Sequence, residues 1–236
     1  RQQLEQREVQ TGMLELLRRN LGHEIRNPLG GIRGAAQMMA EELAGQELGT
    51  LARLIIREVD RINELIERFG KPELHHVDTD IHQVVDEAVE VLMAEAGGKP
   101  RVQRDFDPSI PAITGDVSAL RQIVLNLVLN AYQAGAAHII LRSRIEHGFS
   151  LMQSGKSTAV RIDVDDDGEG VPEHLRAMLF LPLVTGRRDG TGLGLALAQQ
   201  MAAAHGGLLS YEALDRGSRF SLRLPVSRTG LETTFA

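Results

Sequence analysis

Cysteine and tryptophan are absent from the 236 residues, and aromatic residues make up only 3% of the chain. Without cysteine there is no disulfide, no thiolate zinc site and no thiol nucleophile. With so few rings, the core has to be aliphatic. No run of about 18 apolar residues occurs, so nothing in the sequence reads as a membrane span. No signal-peptide pattern is visible. An excess of positive charge is missing as well: 26 Lys and Arg face 32 Asp and Glu, a formal net charge of -6. That balance disfavours direct nucleic-acid binding. The lack of thiols fits a reducing compartment. The opening RQQLEQREVQ has no initiator Met, and the chain reads as a piece of something longer.

What is present is 42% hydrophobic and 25% charged, ordinary for one large or two small globular domains. Leu14, Leu17, Leu21, Ile25, Ile32, Ala35, Met39 and Leu43 recur in steps of three and four or their sums, and so do Leu51, Leu54, Ile55, Ile62, Leu65, Ile66 and Phe69. Each series is the stripe of an amphipathic helix. Gly45 and Gly49 mark a turn between them, which predicts a helical hairpin. One hairpin buries both stripes poorly, so two are expected to pair as a homodimeric four-helix bundle. Gly70 and Pro72 end the second helix.

Beyond Leu74 helical and strand-like segments interleave. A helix starts near Thr79 or Asp80, RVQRDFD is strand-like, and a long helix ends at Gly135. AHIILRSRIE and AVRIDVDDD are strand candidates, a glycine turn feeds a further helix, and GLLSYEAL and SRFSLRLPV form a closing hairpin. The expected class is α+β, with a helical hairpin over 1–72, an α/β domain over 73–228 and a flexible tail over 229–236.

Two motifs mislead. SGKST at 154–158 resembles the end of a phosphate-binding loop, but that loop needs a Gly where Ser150 stands. DVDDDG mimics a calcium loop through Asp163, Asp165 and Asp167, but its twelfth position is His174 rather than Glu. Ile162 and Val164 alternate with those acids as on a strand leading into a turn.

Three clusters of the second domain carry chemistry. Asn126 and Asn130 stand four apart on a helix, so both amides share one face. Amide oxygens are hard ligands suited to Mg²⁺, which keeps water and phosphate as its other ligands. Next, Asp166 precedes Gly168 and Gly170 at a strand end, where the glycines permit unusual φ and close ligand approach. A carboxylate there can accept from an exocyclic amine. Last, Gly190, Gly192 and Gly194, with Thr191 and Leu193 between them, lead into a helix. Such a junction offers backbone N–H groups and a positive helix end to phosphates. Arg187 and Arg188 lie just upstream, and the segment from Val171 to Gly190 is a candidate lid with Phe180 as its apolar anchor.

In the first helix, His23 falls about 180° from the centre of the apolar stripe, so it projects outward. No His or Cys stands three or four residues away to complete a metal site. Taken alone it is an exposed histidine. Glu24 adjoins it, Asn27 shares its face one turn on, and Pro28 loosens the helix just beyond.

In this order the clusters resemble the N, G1, F and G2 boxes of the ATP-binding domain of sensor histidine kinases, a Bergerat-type (GHKL) fold. HEIRNPL resembles the H-box of their phosphoacceptor hairpin, and HEIRNPLGGIRGAAQMM with LVTGRRDGTGLGLA is most similar to the nitrogen-regulation (NtrB-type) branch. The resemblance covers nearly the whole chain. It implies a dimeric four-helix bundle followed by an α/β sandwich that binds ATP and Mg²⁺. Asn130 would hold the metal, Asn126 would lie beside the phosphates, Asp166 would read the adenine amine, and Gly168 and Gly170 would shape that pocket. Gly190, Thr191, Gly192, Leu193 and Gly194 would line the phosphate region and lid. Gly217, Ser218 and Phe220 resemble a weak last box. Two positions depart from the pattern: Asp167 stands where Asn is frequent, and Gln133 where Lys or Arg is frequent, so Arg187 or Arg188 is expected to supply the cation.

The implied activity is autophosphorylation of His23, with Glu24 orienting the ring, and transfer to an Asp of a response-regulator receiver domain, NtrC-like. Asn27 would direct water for the phosphatase reaction on that regulator. The resemblance also implies a cytoplasmic protein with an upstream PAS sensor and a PII-type signal protein as a further partner. A chaperone or topoisomerase of the same ATPase fold would lack the H-box. A scaffold with a degenerate site would have lost Asn130, Asp166 or the glycines.

Overall fold

The computed structural model describes residues 28–43, 47–68, 74–149, 157–187 and 190–226. His23, Glu24, Asn27 and Arg188 lie outside the described residues, as do Ser154 to Lys156 and the tail. The chain divides into two compact units, Arg1–Pro72 and Glu73–Ala236.

The first unit contains helix α1 over 28–42 and helix α2 (Glu47–Arg68). Leu29, Ala36, Ala52 and Val59 are buried, and Arg33 Nε donates to Asp60 Oδ1 at 2.7 Å. Of the predicted stripe residues whose burial is described, Ile32, Ala35, Met39, Leu51, Leu54 and Ile55 are exposed. Two of the four buried side chains are alanines, and Ile32, Met39, Leu51, Leu54 and Ile55 are left without cover among the described residues. Exposed apolar rows of this kind mark a surface built for association.

The second unit places strands β2 (Arg101–Asp105), β4 (His138–Phe149), β5 (Ser157–Asp166), β6 (Leu208–Ala213) and β7 (Ser218–Pro225) in one sheet of order β2-β4-β5-β7-β6. β2 runs parallel to β4, and the other pairs are antiparallel. Two strands that the sequence reading missed, β1 (Val77–Thr79) and β3 (Ile113–Gly115), pair separately. Three residues are too few to show a period of two. Helices α3 (Ile81–Glu95), α4 (Val117–Gln133) and α6 (Gly194–Ala204) supply the helical side of the core, and α5 (Glu173–Arg176) is one turn.

Alternation along β5 decides which face is covered. Val160, Ile162 and Val164 pair with Leu224, Leu222 and Phe220 of β7 and are buried in the aliphatic core with α3, α4 and α6. Asp163 and Asp165 fall on the opposite face, as their strand pattern predicts. Asp165 accepts two hydrogen bonds from Arg219, at 2.7 and 2.8 Å, and one from Arg142. Ser221 Oγ donates to Asp163 at 2.7 Å, and Glu146 takes Arg223 at 2.8 Å and Arg161. Burial raises the Asp165 carboxyl, but Arg219 and Arg142 more than offset it and hold the group below the ordinary carboxylate range. Among the described residues no cluster of His, Asp or Glu suits a metal ion.

Two helix caps are placed by acids. Asp80 Oδ1 accepts from His82 N at 2.8 Å and Gln83 N at 3.4 Å at the start of α3. Asp116 caps α4 through Ala119 N at 2.9 Å, and its other oxygen accepts from His75 N at 2.9 Å. The buried His205 ring, at the end of α6, accepts from Asp116 N at 3.0 Å through Nε2 and donates from Nδ1 to the Met201 carbonyl at 2.8 Å. Accepting an amide proton at Nε2 requires the neutral ring.

Candidate nucleotide site

Asn126 and Asn130 are on the C-terminal half of α4, while Ile123, Leu127 and Ala131 are buried in the core. Asn126 Oδ1 accepts from Gln122 Nε2 at 3.1 Å, and its buried Nδ2 has no hydrogen-bond partner among the described residues. Gly194, the first residue of α6, faces this amide, with room for a Cβ only 3.6 Å from Asn126 Oδ1. The cap residue of α6, Leu193, makes no side-chain hydrogen bond to the helix start. The first N–H groups of the helix therefore stand beside an amide donor that also lacks an acceptor, an arrangement suited to an anion.

Asp166 ends β5 beside Ser218, the first residue of β7. It is 5% exposed, and its Oδ1 accepts from Gly168 N at 2.9 Å. Burial pushes its carboxyl above the ordinary value, against hydrogen bonds from the Gly168 and Ser218 backbone. The turn after it is tied to the end of α4: Glu169 N donates to the Ala134 carbonyl at 3.0 Å, and a Cβ on Gly168 would come within 2.7 Å of that oxygen. Gly170 adopts φ +73.

Asp167 is used differently. It accepts from Ala137 N and His138 N, both at 2.8 Å, and pairs with His138 Nδ1 at 2.9 Å. The His138 ring and those backbone donors hold its carboxyl down at about 2. The departure from the family pattern is thus a clamp between the turn and the start of β4.

The glycine segment is shaped by contacts with the preceding loop. Leu183 N donates to the Gly192 carbonyl at 3.0 Å. A Cβ on Gly192 would lie 2.6 to 2.8 Å from the Leu183 and Val184 backbone, and Gly192 has φ +65. A Cβ on Gly190 would collide with Thr185 Oγ1. Leu193 N donates to Thr191 Oγ1 at 3.4 Å. Phe180, the apolar residue of this segment, is half-buried and meets the Phe220 ring edge-on, with centroids 6.5 Å apart.

Arg187 comes onto the face of α4. Its Nη2 donates to Asn130 Oδ1, its Nη1 donates to Gln133 Oε1, and Asp166 acts on it electrostatically. An amide oxygen, a neutral acceptor one turn on, a guanidinium and a buried carboxylate therefore converge. Gly217 is the residue whose importance the sequence understated. It adopts φ +83, and a Cβ there would collide with the Asp166 backbone carbonyl. A glycine in a β6–β7 turn is common, and only the close approach reveals its use.

An α/β sandwich with this site belongs to a known class. Residues 115–228 match the family of histidine kinase-, DNA gyrase B- and HSP90-like ATPases, and residues 12–71 match the His Kinase A (phospho-acceptor) domain. The chain belongs to the sensor histidine kinases, and its relatives define the nitrogen-regulation type. It is 39% identical over 215 residues to the sensory histidine kinase/phosphatase NtrB of Escherichia coli O157:H7, covering 89% of this chain and 62% of that protein. It is 38% identical over 227 residues to NtrB of Rhodobacter capsulatus, covering 92% and 62%. Among solved structures, full-length ShkA in complex with AMPPNP matches with a TM-score of 0.61 and 26% identity, over 88% of this chain and 45% of that one. The chain therefore spans less than two thirds of the curated relatives it resembles. No helix of the described residues is long and apolar enough to cross a membrane.

Proposed function

We propose that the chain is the catalytic core of a bifunctional sensor histidine kinase, moving the γ-phosphoryl group of ATP to His23 and then to an Asp of a response regulator. The observation that carries this is the convergence of Asn126, Asn130, Asp166 and the glycine segment in one site, in a chain that also holds the H-box HEIRNPL. Asp166 accepts from the adenine amine. Its carboxylate takes backbone N–H groups of Gly168 and Ser218, and its remaining lone pairs serve the ligand. The start of α6, with Thr191, Gly192 and Gly194 before and at it, receives the phosphates, and Asn126 Nδ2 donates to them.

The donor set suits Mg²⁺. Asn130 Oδ1 accepts a guanidinium in this structure, so the oxygen faces the site and tolerates a cation. Mg²⁺ bound there would neutralise phosphate charge in the transition state. The chain's own residues do the rest. His23 presents a neutral ring nitrogen to the phosphorus, Glu24 orients the ring and takes up its proton charge, and Asn27 directs water in the reverse duty. Arg188 is a second cation for the same phosphates.

The exposed apolar row of α1 and α2 supports a homodimer. A receiver domain, NtrC-like, is the phosphoryl acceptor, and a PII-type protein is a further partner. A cytoplasmic setting belongs to the same reading. These partners and the setting rest on the nitrogen-regulation resemblance.

The test is incubation with γ-labelled ATP and Mg²⁺. Base-stable, acid-labile label is expected on the wild-type chain and none on His23→Ala, while both bind ATP equally. Equal acid-labile label on the variant would overturn the assignment.

A further inference from the structure

The guanidinium of Arg187 sits where the proposed metal ligand would need its lone pair. Nη2 donates to Asn130 Oδ1 and lies 3.5 Å from the Asn130 carbonyl, while Nη1 donates to Gln133 Oε1. Asn130 and Gln133 are three apart on α4, so both acceptors share a face. The arginine backbone is fixed as well: its N donates to Thr185 Oγ1 at 3.1 Å, and that hydroxyl donates to the Arg187 carbonyl at 3.3 Å. The grip is therefore a side chain held at both ends rather than a loosely solvated cation.

We propose that Arg187 is a clasp that must release Asn130 before that oxygen can ligate a divalent cation. The proposal rests on the nucleotide-site reading above. A Mg²⁺–oxygen bond is about 2 Å long, so a metal and a guanidinium nitrogen sharing one amide oxygen would stand only about 4 Å apart. Two positive centres that close, in a half-buried site, repel strongly. Gln133 carries no charge and returns nothing against that repulsion. Arg187 then moves to the partner it matches best, the phosphate groups of a nucleoside polyphosphate, which accept both N–H groups of its fork. Gln133 thus sets how firmly Asn130 is clasped before a metal binds, and Arg187 couples arrival of the metal to engagement of the phosphates.

The consequence is a competition that binding measurements can read. A fluorescent ADP analogue is titrated with Mg²⁺ on the 236-residue chain, and metal-free binding is measured in EDTA. Gln133→Leu keeps the arginine for the phosphates but removes half of its anchor, and Arg187→Ala removes the clasp. Both variants are expected to lower the Mg²⁺ midpoint about three- to tenfold, the scale of one lost hydrogen bond. In Gln133→Leu the affinity for the Mg²⁺–nucleotide complex should rise. Midpoints equal to or above the wild-type value in both variants would overturn the clasp while leaving the nucleotide site intact. A wild-type chain that binds no nucleotide would overturn the site reading itself and the clasp with it.

Discussion

Gly217 meets Asp166 so closely that a Cβ on the glycine would collide with the Asp166 carbonyl, and the glycine reaches that position with φ +83. The β6–β7 turn is thereby locked against the residue assigned to adenine. Gly217→Ala should displace Asp166 and lower ATP affinity at least about tenfold, since an alanine in the left-handed region is also strained by about 1–2 kcal/mol. Asp166→Asn leaves the turn in place and removes the charge from the hydrogen bond. A loss of about 10- to 100-fold is expected, the scale of a charged hydrogen bond. Calorimetric titration with ATP measures both. Wild-type affinity in Asp166→Asn would remove Asp166 from adenine recognition.

Gly192 is constrained from another side. Its carbonyl accepts from Leu183 N at 3.0 Å, and its missing Cβ makes room for the Leu183 and Val184 backbone. Leu183 itself has φ +65. Gly192→Ala should therefore break the contact that shapes the phosphate segment. Nucleotide affinity should fall about tenfold or more, with a melting-temperature change of a few degrees at most, because the aliphatic core is untouched. An unaffected affinity would mean that this segment does not touch phosphate.

His205 makes stability depend on pH. Burial lowers its pKa from the ordinary histidine value, against the opposing effect of the Met201 carbonyl. The unfolded chain therefore binds a proton at higher pH than the folded one does. The stabilisation is complete above about pH 6.5 and is lost as pH falls from there toward the lowered folded value. Its loss frees Asp116 N, and with it the capped start of α4. His205→Gln, which does not titrate, should show a smaller drop in melting temperature between pH 7.5 and pH 5.5, read by calorimetry. Equal drops would remove His205 as the source.

The exposed row of α1 and α2 should be the dimer contact. Leu51→Glu combined with Leu54→Glu places two charges among Ile32, Met39 and Ile55, all exposed. Burying a charge without a partner is strongly unfavourable. The variant should elute as a monomer with light scattering of one chain mass, and the ATP-binding unit should keep its affinity. A dimer of wild-type stability would exclude this surface.

Asn27→Ala separates the two activities proposed for the hairpin. Autophosphorylation of His23 should persist, while dephosphorylation of the labelled regulator should slow by about 100-fold, within the range for a positioned acid–base group. An unchanged dephosphorylation rate would reject water positioning by Asn27.

Much of this was legible in the chain itself. Long periodic segments showed α1 to α4 and most of α6, because a stripe repeated over several turns is unambiguous. The strands β4 and β5 were visible through alternation, and that same alternation, together with His174 at the twelfth position, told against the calcium-loop reading of Asp163 and Asp165. The turn strands β1 and β3 escaped because neither is long enough to carry a period. The stripe of the hairpin was seen, but not which part of it pairs: Ala36 and Ala52 permit close approach, and a count of large apolar residues overlooks them.

The sequence by itself determined the two domains' classes, the spacing of Asn126 and Asn130, and the order of acid and glycine clusters, since local periodicity and motif spacing are properties of consecutive residues. The tertiary structure decided which groups meet. It turned Asp167 away to His138 and the start of β4, set Gly217 against Asp166, and laid Arg187 across Asn130 and Gln133. Those pairs are separated by 29 to 57 residues in the chain, and one of them, Gly217 with Asp166, rests on a missing side chain. No pattern read along the chain reports such distances, because the pairing of β5 with β4 and β7 brings the first two together and the loop before α6 folding onto α4 brings the last.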